Sequence, residues 1–259
     1  MKISLIQMNM HEGDTEYNFL HAEWLLKKAA EYSPDVIILP ETWNTGFFPK
    51  TGLSESADRD ALRTKALLRD ISGSYGAYIV GGSVTESKGA DIYNTCYIYD
   101  DKGVNIASYS KTHLFSPMRE QLYYKKGDSL CVFDIKGVKC AVCICYDIRF
   151  PELIRRLALE GIKILFVPMQ WPRERTEQMK LLMRARAVEN QIFTVACNSA
   201  GLFDGTVFGG CSFVSSPLGE VLDGCAESEE ILTVNADISV IDGIKRNMDV
   251  FNDRRTELY

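Results

Sequence analysis

The chain has 259 residues, of which 46% are hydrophobic and 25% are charged. This length allows one or two domains with a sizeable core, and the composition excludes disordered, collagen-like and coiled-coil proteins. Since 29 lysines and arginines face 35 aspartates and glutamates, the net charge is −6. We therefore expect neither a nucleic-acid partner nor binding to an anionic membrane.

The eight cysteines are too sparse for a disulfide framework in a chain of this length. Most lie in apolar runs, where a free cysteine usually acts as a small buried hydrophobe. The pair Cys140-x-x-Cys143 lies inside a predicted strand and has no second pair, so we expect no metal site. Without a signal-peptide pattern or a long apolar segment, the sequence predicts a cytoplasmic protein with reduced thiols.

The first part of the chain alternates short apolar runs with amphipathic stretches. In order, the pattern predicts a strand at Lys2–Met8, a helix N-capped by Asp14, a buried strand at Val36–Leu39, a helix around Leu67 and a strand at Ala77–Val84. The first helix has apolar residues at helical spacing: Tyr17, Leu20, Trp24 and Leu25.

The middle of the chain predicts antiparallel hairpins joined by tight turns, and the β-α pattern then returns. The hairpin strands are Asn94–Tyr99 with Val104–Ser110, and Leu130–Ile135 with Val138–Cys145. The elements that follow are a helix at Pro151–Glu160, a strand at Ile162–Val167, a helix at Glu174–Glu189, and strands at Ile192–Cys197, Phe208–Ser215, Glu220–Asp223 and Ile231–Val234.

No linker or low-complexity stretch divides the chain, so we expect residues 1–259 to form a single domain. Two sheets with helices on their outer faces account for this number of strands. The sequence thus predicts an α/β fold, a sandwich with αββα layers.

Cys145 is the most informative candidate for chemistry. It is the last residue of an apolar run before a polar turn and a helix that begins with Pro151 and Glu152. A cysteine at such an elbow faces a cleft and nearby helix N–H groups, which favour the thiolate and hence nucleophilicity.

A nucleophilic cysteine needs a base, and the three histidines of the chain are poorly placed for that role. Glu41, in contrast, lies just past the end of a fully apolar strand, where α/β sheets place their ligand crevices. Lys111 occupies the same kind of position after Val104–Ser110. We expect Glu41, Lys111 and Cys145 to converge on one cleft.

Three motifs in order, Leu39-Pro40-Glu41, Ser110-Lys111-Thr112-His113-Leu114-Phe115 and Cys145-Tyr146-Asp147-Ile148-Arg149-Phe150-Pro151-Glu152, resemble the nitrilase (carbon–nitrogen hydrolase) superfamily. The resemblance spans nearly the whole chain. It implies an αββα sandwich that assembles at least as a homodimer and that needs no cofactor and no metal.

The resemblance also implies roles for particular residues. Cys145 would be the nucleophile, Glu41 the general base and later acid, and Lys111 a cation that stabilises the tetrahedral intermediate. Glu120 matches a family glutamate that positions the substrate amide and the lysine. The backbone N–H of Tyr146 would be a second donor to the oxyanion.

The ω-amidase branch is the most similar part of the family, and its substrates are ω-amides of 2-oxo dicarboxylic acids such as 2-oxoglutaramate and 2-oxosuccinamate. The free carboxylate of such a substrate favours a guanidinium partner. Arg149 is the first candidate and Arg173 the second, although each could instead pair with a neighbouring glutamate. Trp171 follows a strand end and could form a wall of the substrate pocket.

Several alternatives remain open from the sequence. Another amidase of the superfamily, an N-carbamoyl amino-acid hydrolase or a deaminated-glutathione amidase would use the same residues. A nitrilase acting on nitriles is disfavoured because such chains usually are longer and place tryptophan where Tyr146 stands. A non-catalytic scaffold protein is disfavoured by the four intact polar residues Glu41, Lys111, Glu120 and Cys145.

Overall fold

Three parallel strands form the centre of each of two β-sheets in the computed structural model, which describes residues 1–46, 52–203 and 205–258. The strands in chain order are β1 Lys2–Gln7, β2 Val36–Ile38, β3 Asp58–Arg59, β4 Tyr78–Val80, β5 Val84–Lys88, β6 Asp91–Tyr99, β7 Asn105–Ser110, β8 Val132–Ile135, β9 Val138–Val142, β10 Ile164–Pro168, β11 Phe193–Cys197, β12 Ala200–Phe203, β13 Thr206–Gly209, β14 Phe213–Ser215, β15 Val221–Gly224 and β16 Glu230–Asn235.

The described helices are α1 Thr15–Ala30, α2 Leu53–Ser56, α3 Leu62–Tyr75, α4 Pro151–Leu159, α5 Thr176–Asn190 and α6 Val240–Asn247. Helices α1 and α3 connect the parallel strands of the first sheet, and α4 and α5 connect those of the second. None of the described helices is long and apolar enough to cross a membrane. The order β1-α1-β2-α3-β4 in the first sheet and β9-α4-β10-α5-β11 in the second confirms the predicted repetition of β-α units.

The first sheet has the strand order β16-β1-β2-β4-β6-β5-β3, with β7 paired to the other edge of β6. The second has the order β15-β14-β11-β10-β9-β8, while β12 and β13 form a separate hairpin. The predicted antiparallel pairs β6–β7 and β8–β9 are confirmed.

The two sheets pack against each other through apolar side chains. Ile3 and Ile38 of the first sheet belong to the same buried cluster as Phe166 and Val195 of the second. A separate cluster joins α1 and α3 to the outer face of the first sheet, and α4 and α5 cover the second. This is the predicted order of layers, α, β, β and α.

Helix α1 is N-capped as predicted, since Asp14 accepts a hydrogen bond of 3.0 Å from the backbone N–H of Tyr17. Its predicted apolar face was confirmed at Leu25 but wrong elsewhere. Leu20 and Trp24 are more than half exposed, and the buried face carries Phe19 and Leu26 instead. Several apolar residues on both faces made the spacing ambiguous, and packing against the sheet decided which face is buried.

Three strand boundaries also need correction. The predicted strand Ala77–Val84 is interrupted because the chain turns at Gly82, with φ +63°, before β5 begins. The predicted strand Phe208–Ser215 is divided between β13 and β14, which belong to different sheets. The strand predicted to reach Cys145 ends at Val142, and a 3-10 turn follows at Cys145–Arg149.

Candidate functional site

A cluster of three charged side chains is buried at the ends of strands in the first sheet. The ammonium nitrogen of Lys111 lies 2.8 Å from Oε1 of Glu41 and 3.0 Å from Oε2 of Glu120. All three residues are at most 3% exposed. We call Glu41, Lys111 and Glu120 the acid–lysine cluster.

The backbone fixes each member of this cluster. Glu41 follows β2, and its backbone N–H donates to the carbonyl of Met169 in the second sheet. Lys111 follows β7 directly. Glu120 lies at the start of a short 3-10 turn, and its carboxylate accepts from the backbone N–H of Phe115, which folds this loop back over Lys111.

Burial and charge act on the cluster in opposite directions. Burial alone would lower the pKa of Lys111, but the carboxylates of Glu120 and Glu41 outweigh it and raise that pKa well above the ordinary value. Burial raises the pKa of Glu41, which Lys111 partly offsets and Glu120 reinforces. Lys111 therefore stays a cation, and Glu41 is a carboxylate that takes up a proton more readily than an exposed one.

The two carboxylate oxygens of Glu41 differ in their contacts. Oε1 accepts from Lys111 and, at 2.9 Å, from the side-chain amide of Asn94. Oε2 is buried and accepts no regular hydrogen bond among the described residues, while the Cys145 thiol interacts with the Glu41 carboxylate. One oxygen is thus fixed in place, and the other is available to accept a proton.

Cys145 stands at a strained elbow. It has φ +49°, in the left-handed region that residues other than glycine rarely adopt, and it begins the 3-10 turn between β9 and α4. Such a conformation persists only where the surrounding structure imposes it. The predicted position of Cys145 at an elbow is confirmed.

The expected thiolate form of Cys145 is not confirmed. Burial, then the charge of Glu41, raises the pKa of the Cys145 thiol well above its ordinary value, although Lys111 and a hydrogen bond from the backbone of Gln170 lower it in part. Helix N–H groups do not compensate, because α4 begins only six residues later. To act as a nucleophile, Cys145 would therefore need a base that removes its proton.

Asp147 links the cysteine elbow to the lysine loop. Its fully buried carboxylate accepts from the hydroxyl of Tyr109 at 2.8 Å, the backbone N–H of His113 at 2.9 Å and the backbone N–H of Ile144 at 2.9 Å. These donors flank Lys111 and Cys145. Sequence reasoning did not assign Asp147 a role, although a carboxylate two residues after a buried cysteine run was a usable signal.

A cavity of about 240 Å³ opens next to the Cys145 elbow. Its lining includes Tyr146, next to the nucleophile candidate, and Gln170, whose backbone N–H interacts with the Cys145 sulfur. Phe115 and Trp171 supply further aromatic wall. The cavity suits a small organic molecule whose reacting end lies near Cys145.

Two of the three predicted substrate residues line this cavity. The guanidinium of Arg149 lies 4.7 Å from the ring centre of Trp171 and donates to Gln178, not to Glu152. Trp171 is 4% exposed, and its indole N–H has no partner among the described residues. Arg173 instead pairs on the surface with Glu227 at 2.6 Å and is not among the lining residues.

Arg175 takes the place that we predicted for Arg173. It lines the cavity, with its guanidinium 5.6 Å from the ring centre of Phe115. Neither Arg149 nor Arg175 pairs with a carboxylate in the described ranges, while the cavity holds one exposed carboxylate, that of Glu174. Sequence reasoning missed Arg175 because Arg173 and Arg175 lie two residues apart, and the pattern does not show which one faces the cavity.

A family model gives this geometry a context. The carbon–nitrogen hydrolase model matches residues 2–246. The chain belongs to the carbon–nitrogen hydrolase family. The predicted resemblance is thus confirmed, and this carbon–nitrogen hydrolase is an enzyme of the amidase type.

Two relatives bear names of different activities. The chain is 38% identical to the 2-oxoglutaramate amidase of Bacillus subtilis (strain 168), over 99% of this chain and 98% of that one. It is 33% identical to a nitrilase of Pyrococcus abyssi, over 100% of this chain and 99% of that one. Because the second match spans nearly the whole relative, chain length does not separate amidases from nitrilases here.

A solved amidase shares the fold. The structure of an amidase from Nesterenkonia sp. AN1 superposes with a TM-score of 0.88 at 27% identity, covering 100% of this chain and 98% of that one. In that structure, a mutant form, acrylamide has added to the active-site cysteine. The fold of this hydrolase therefore is that of nitrilase-superfamily amidases, as the sequence predicted.

The site of this carbon–nitrogen hydrolase has the parts that acyl transfer requires. Cys145 can attack a carbonyl carbon, and Glu41 has a free oxygen for the proton. The backbone N–H of Tyr146 lies at the start of a 3-10 turn, where it has no partner within the turn. Together with the Lys111 ammonium, that N–H could stabilise a developing oxyanion.

Proposed function

We propose that this hydrolase is an ω-amidase that cleaves the amide of ω-amides of 2-oxo dicarboxylic acids, such as 2-oxoglutaramate and 2-oxosuccinamate. The observation that carries the proposal is a cysteine that interacts with a buried acid–lysine cluster, next to a cavity lined by its neighbour Tyr146 and by two arginines without carboxylate partners among the described residues. The similarity to a 2-oxoglutaramate amidase supports the same substrate class.

In the first half of the reaction, Glu41 takes the thiol proton of Cys145 while the sulfur attacks the amide carbon. A C–S bond forms, and the carbonyl electron pair moves to oxygen. Lys111 and the N–H of Tyr146 stabilise this oxyanion. When the intermediate collapses, the C–N bond breaks and the nitrogen takes the proton from Glu41, so that ammonia leaves and a thioester remains.

In the second half, water enters the place of ammonia. Glu41 takes a proton from the water as the water oxygen attacks the thioester carbon. The C–S bond then breaks, the sulfur recovers the proton from Glu41, and the carboxylic acid is released. The raised pKa of Glu41 suits this cycle, because the group must accept and return a proton twice.

Glu120 has a supporting role in this scheme. Its carboxylate holds Lys111 through both oxygens, at 3.1 and 3.0 Å. It thereby keeps the ammonium in position and balances its charge when Glu41 is protonated. We propose that Glu120 orients Lys111 and the substrate amide and does not itself transfer the proton.

The arginines on the cavity wall supply the substrate preference in this proposal. A 2-oxo dicarboxylic ω-amide carries its charge at the end opposite the amide, so it would place a carboxylate near Arg149 and Arg175. The planar guanidinium fork suits a carboxylate. Trp171 would form the wall between them and offer its unpartnered N–H to a substrate oxygen.

The test is ammonia release from a panel that contains 2-oxoglutaramate, 2-oxosuccinamate, glutamine, an N-carbamoyl amino acid and a simple nitrile. We expect kcat/KM to be highest for the two 2-oxo acid amides. If only the carbamoyl compound is turned over, the enzyme is an N-carbamoyl amino-acid hydrolase and the proposal is wrong. If no compound reacts, the proposed substrate class is wrong.

A nitrile substrate is the second candidate, and the relative from Pyrococcus abyssi favours it. Tyr146 after the nucleophile argues against it, because the resemblance places tryptophan there in nitrilases. Hydrolysis of the nitrile in the panel at a rate above that of the amides would favour this second function.

We further propose that the enzyme acts as a cytoplasmic homodimer. Helix α5 and the adjacent loop expose the apolar side chains of Leu181, Val188 and Leu218, by 70%, 46% and 60%. A patch of exposed apolar side chains is unfavourable in a monomer and indicates an interaction surface. All eight cysteines are free, as expected in a reducing compartment. Sedimentation of the purified protein would test the dimer.

A further inference from the structure

Gln170 is a buried amide beside the nucleophile that the mechanism above does not use. It follows β10, is 3% exposed and lines the cavity. Its backbone N–H interacts with the sulfur of Cys145. The side chain is therefore close to the place where a substrate amide must lie to be attacked.

The orientation of this side chain is fixed by a contact to the acid–lysine cluster. Its Nε2 donates to the backbone carbonyl of Glu41 at 2.7 Å and contacts the sulfur of Met10 at 3.5 Å. A carbonyl oxygen accepts only from the nitrogen end of an amide, so the side chain cannot be turned around. The oxygen end must point elsewhere.

That oxygen, Oε1, is buried and has no partner in the part of the chain that the structure describes. A buried acceptor without a donor is unfavourable, so Oε1 calls for a donor that the chain does not supply, such as a water molecule or a ligand. Because Oε1 can only accept, it selects a ligand atom that carries a hydrogen. The scissile amide of the substrate has such atoms in its NH₂ group.

We propose that Oε1 of Gln170 accepts a hydrogen bond from the NH₂ group of the scissile amide and thereby makes the enzyme select amides over esters of the same acid. This proposal rests on the proposed amide hydrolysis. One N–H of the substrate would face Gln170, which leaves the nitrogen lone pair free to take the proton from Glu41. An ester offers only an oxygen to Oε1, and two acceptors that face each other are unfavourable.

The experiment compares kcat/KM for 2-oxoglutaramate with that for the matching methyl ester, in the wild type and in two variants. Gln170→Met removes both the acceptor and the donor to Glu41. Gln170→Glu keeps an acceptor oxygen towards the substrate, removes the donor to Glu41 and adds a carboxylate oxygen that faces the Glu41 carbonyl, so both kcat and folding are measured for it. We expect the amide-to-ester ratio of kcat/KM to fall about tenfold or more in Gln170→Met and to stay near the wild-type value in Gln170→Glu.

An amide-to-ester ratio of kcat/KM that stays at the wild-type value in Gln170→Met would overturn the inference. If both kcat/KM values fall equally, Gln170 only holds Glu41, and if neither falls, Gln170 has no role in the reaction. Iodoacetamide labelling of Cys145 and thermal unfolding check that each variant is folded. If Gln170→Met fails to fold, a fall of the ratio in Gln170→Glu would contradict the proposal, and retention would support it.

Failure of the proposed substrate class gives a different result. If wild-type enzyme releases no ammonia from 2-oxoglutaramate, the comparison is made with the primary amide that the panel identifies and its methyl ester. The ratio then tests Gln170 independently of which acid the enzyme recognises.

Discussion

The acid–lysine cluster and the cavity wall lie side by side but are built differently. The cluster is polar, buried and held by hydrogen bonds from several strands and loops. The wall combines the buried Trp171 with half-buried aromatic and guanidinium groups, and these groups contact each other through ring faces and edges. The first arrangement fixes a few atoms for one reaction, whereas the second leaves room for substrates to differ.

Chemistry and recognition should therefore respond differently to substitution. Changes at Cys145 or in the cluster should lower kcat with every substrate, and changes in the wall should alter KM with some substrates only.

The largest effect is expected for Cys145→Ala. Because no thioester can form, ammonia release should fall about 10⁴-fold or more, and no covalent adduct should appear. The variant should fold and assemble like the wild type. Mass spectrometry after incubation with iodoacetamide and an ammonia assay measure both.

Cys143→Ala is the matched control, two residues earlier on the same segment. Cys143 is fully buried in the apolar core, and burial raises the pKa of its thiol. We expect near wild-type kcat and a loss of about 1 kcal/mol in the free energy of unfolding. If Cys145→Ala were as active as an active Cys143→Ala variant, Cys145 would be excluded as the nucleophile.

The next effect is expected for Glu41→Gln, which should lower kcat about 10³-fold because the general base is lost. Stability should not fall. Since burial raises the pKa of Glu41 in the folded state, its charge opposes folding above the ordinary carboxyl pKa. The melting temperature at pH 7 should equal or exceed that of the wild type, and a clear decrease would contradict this account.

The wild-type pH profile follows from the same shift. Glu41 must be ionised to take the thiol proton, so kcat/KM should fall as pH decreases through its raised pKa. The midpoint of the acid limb of this profile should lie above pH 4.5, the ordinary pKa of a glutamate. An acid limb at or below that value would show that Glu41 is not the base or that its pKa is not raised.

A smaller effect is expected for Asp147→Asn. An amide cannot accept from all the donors that surround this carboxylate, so the link between the Lys111 loop and the Cys145 elbow should loosen. We expect kcat to fall about 10- to 100-fold with little change in KM. A lower melting temperature with unchanged kcat would assign Asp147 a purely structural role.

The smallest effect is expected on the wall. Arg149→Met and Arg175→Met should each raise KM about tenfold for substrates with a free carboxylate and leave a neutral amide unaffected. Arg173→Met is the control, because its partner Glu227 lies on the surface. Equal KM values for all three variants would remove the arginines from substrate recognition.

Glu41 was predictable from its place after an apolar strand and Cys145 from its place at the end of an apolar run, because local pattern reveals both, whereas the roles of Lys111 and Glu120 were implied by the family resemblance. Glu41, Lys111 and Glu120 do come together, and Cys145 does stand at an elbow. The burial of Glu120 was not evident from the pattern. A loop sequence rich in polar residues looks exposed until its backbone folds over Lys111.

The residues of the cavity wall were less predictable, because the folding of a loop is not visible in the local sequence. Arg173 and Arg175 are two residues apart in a short 3-10 turn, and only the docking of that turn decides which one faces the cavity. The face of α1 was mistaken because Leu20 and Trp24 fit a helical stripe as well as the buried Phe19 and Leu26 do.

The sequence by itself determined the layer order, the family resemblance and the candidate nucleophile, base and cation, because strand periodicity and strand-end residues are local properties. The tertiary structure decided the raised pKa of Cys145, the unpartnered side-chain oxygen of Gln170 and the placement of Arg175, not Arg173, at the cavity. These depend on burial and on neighbours more than 20 residues away in the chain, whose distances and charges local patterns do not contain.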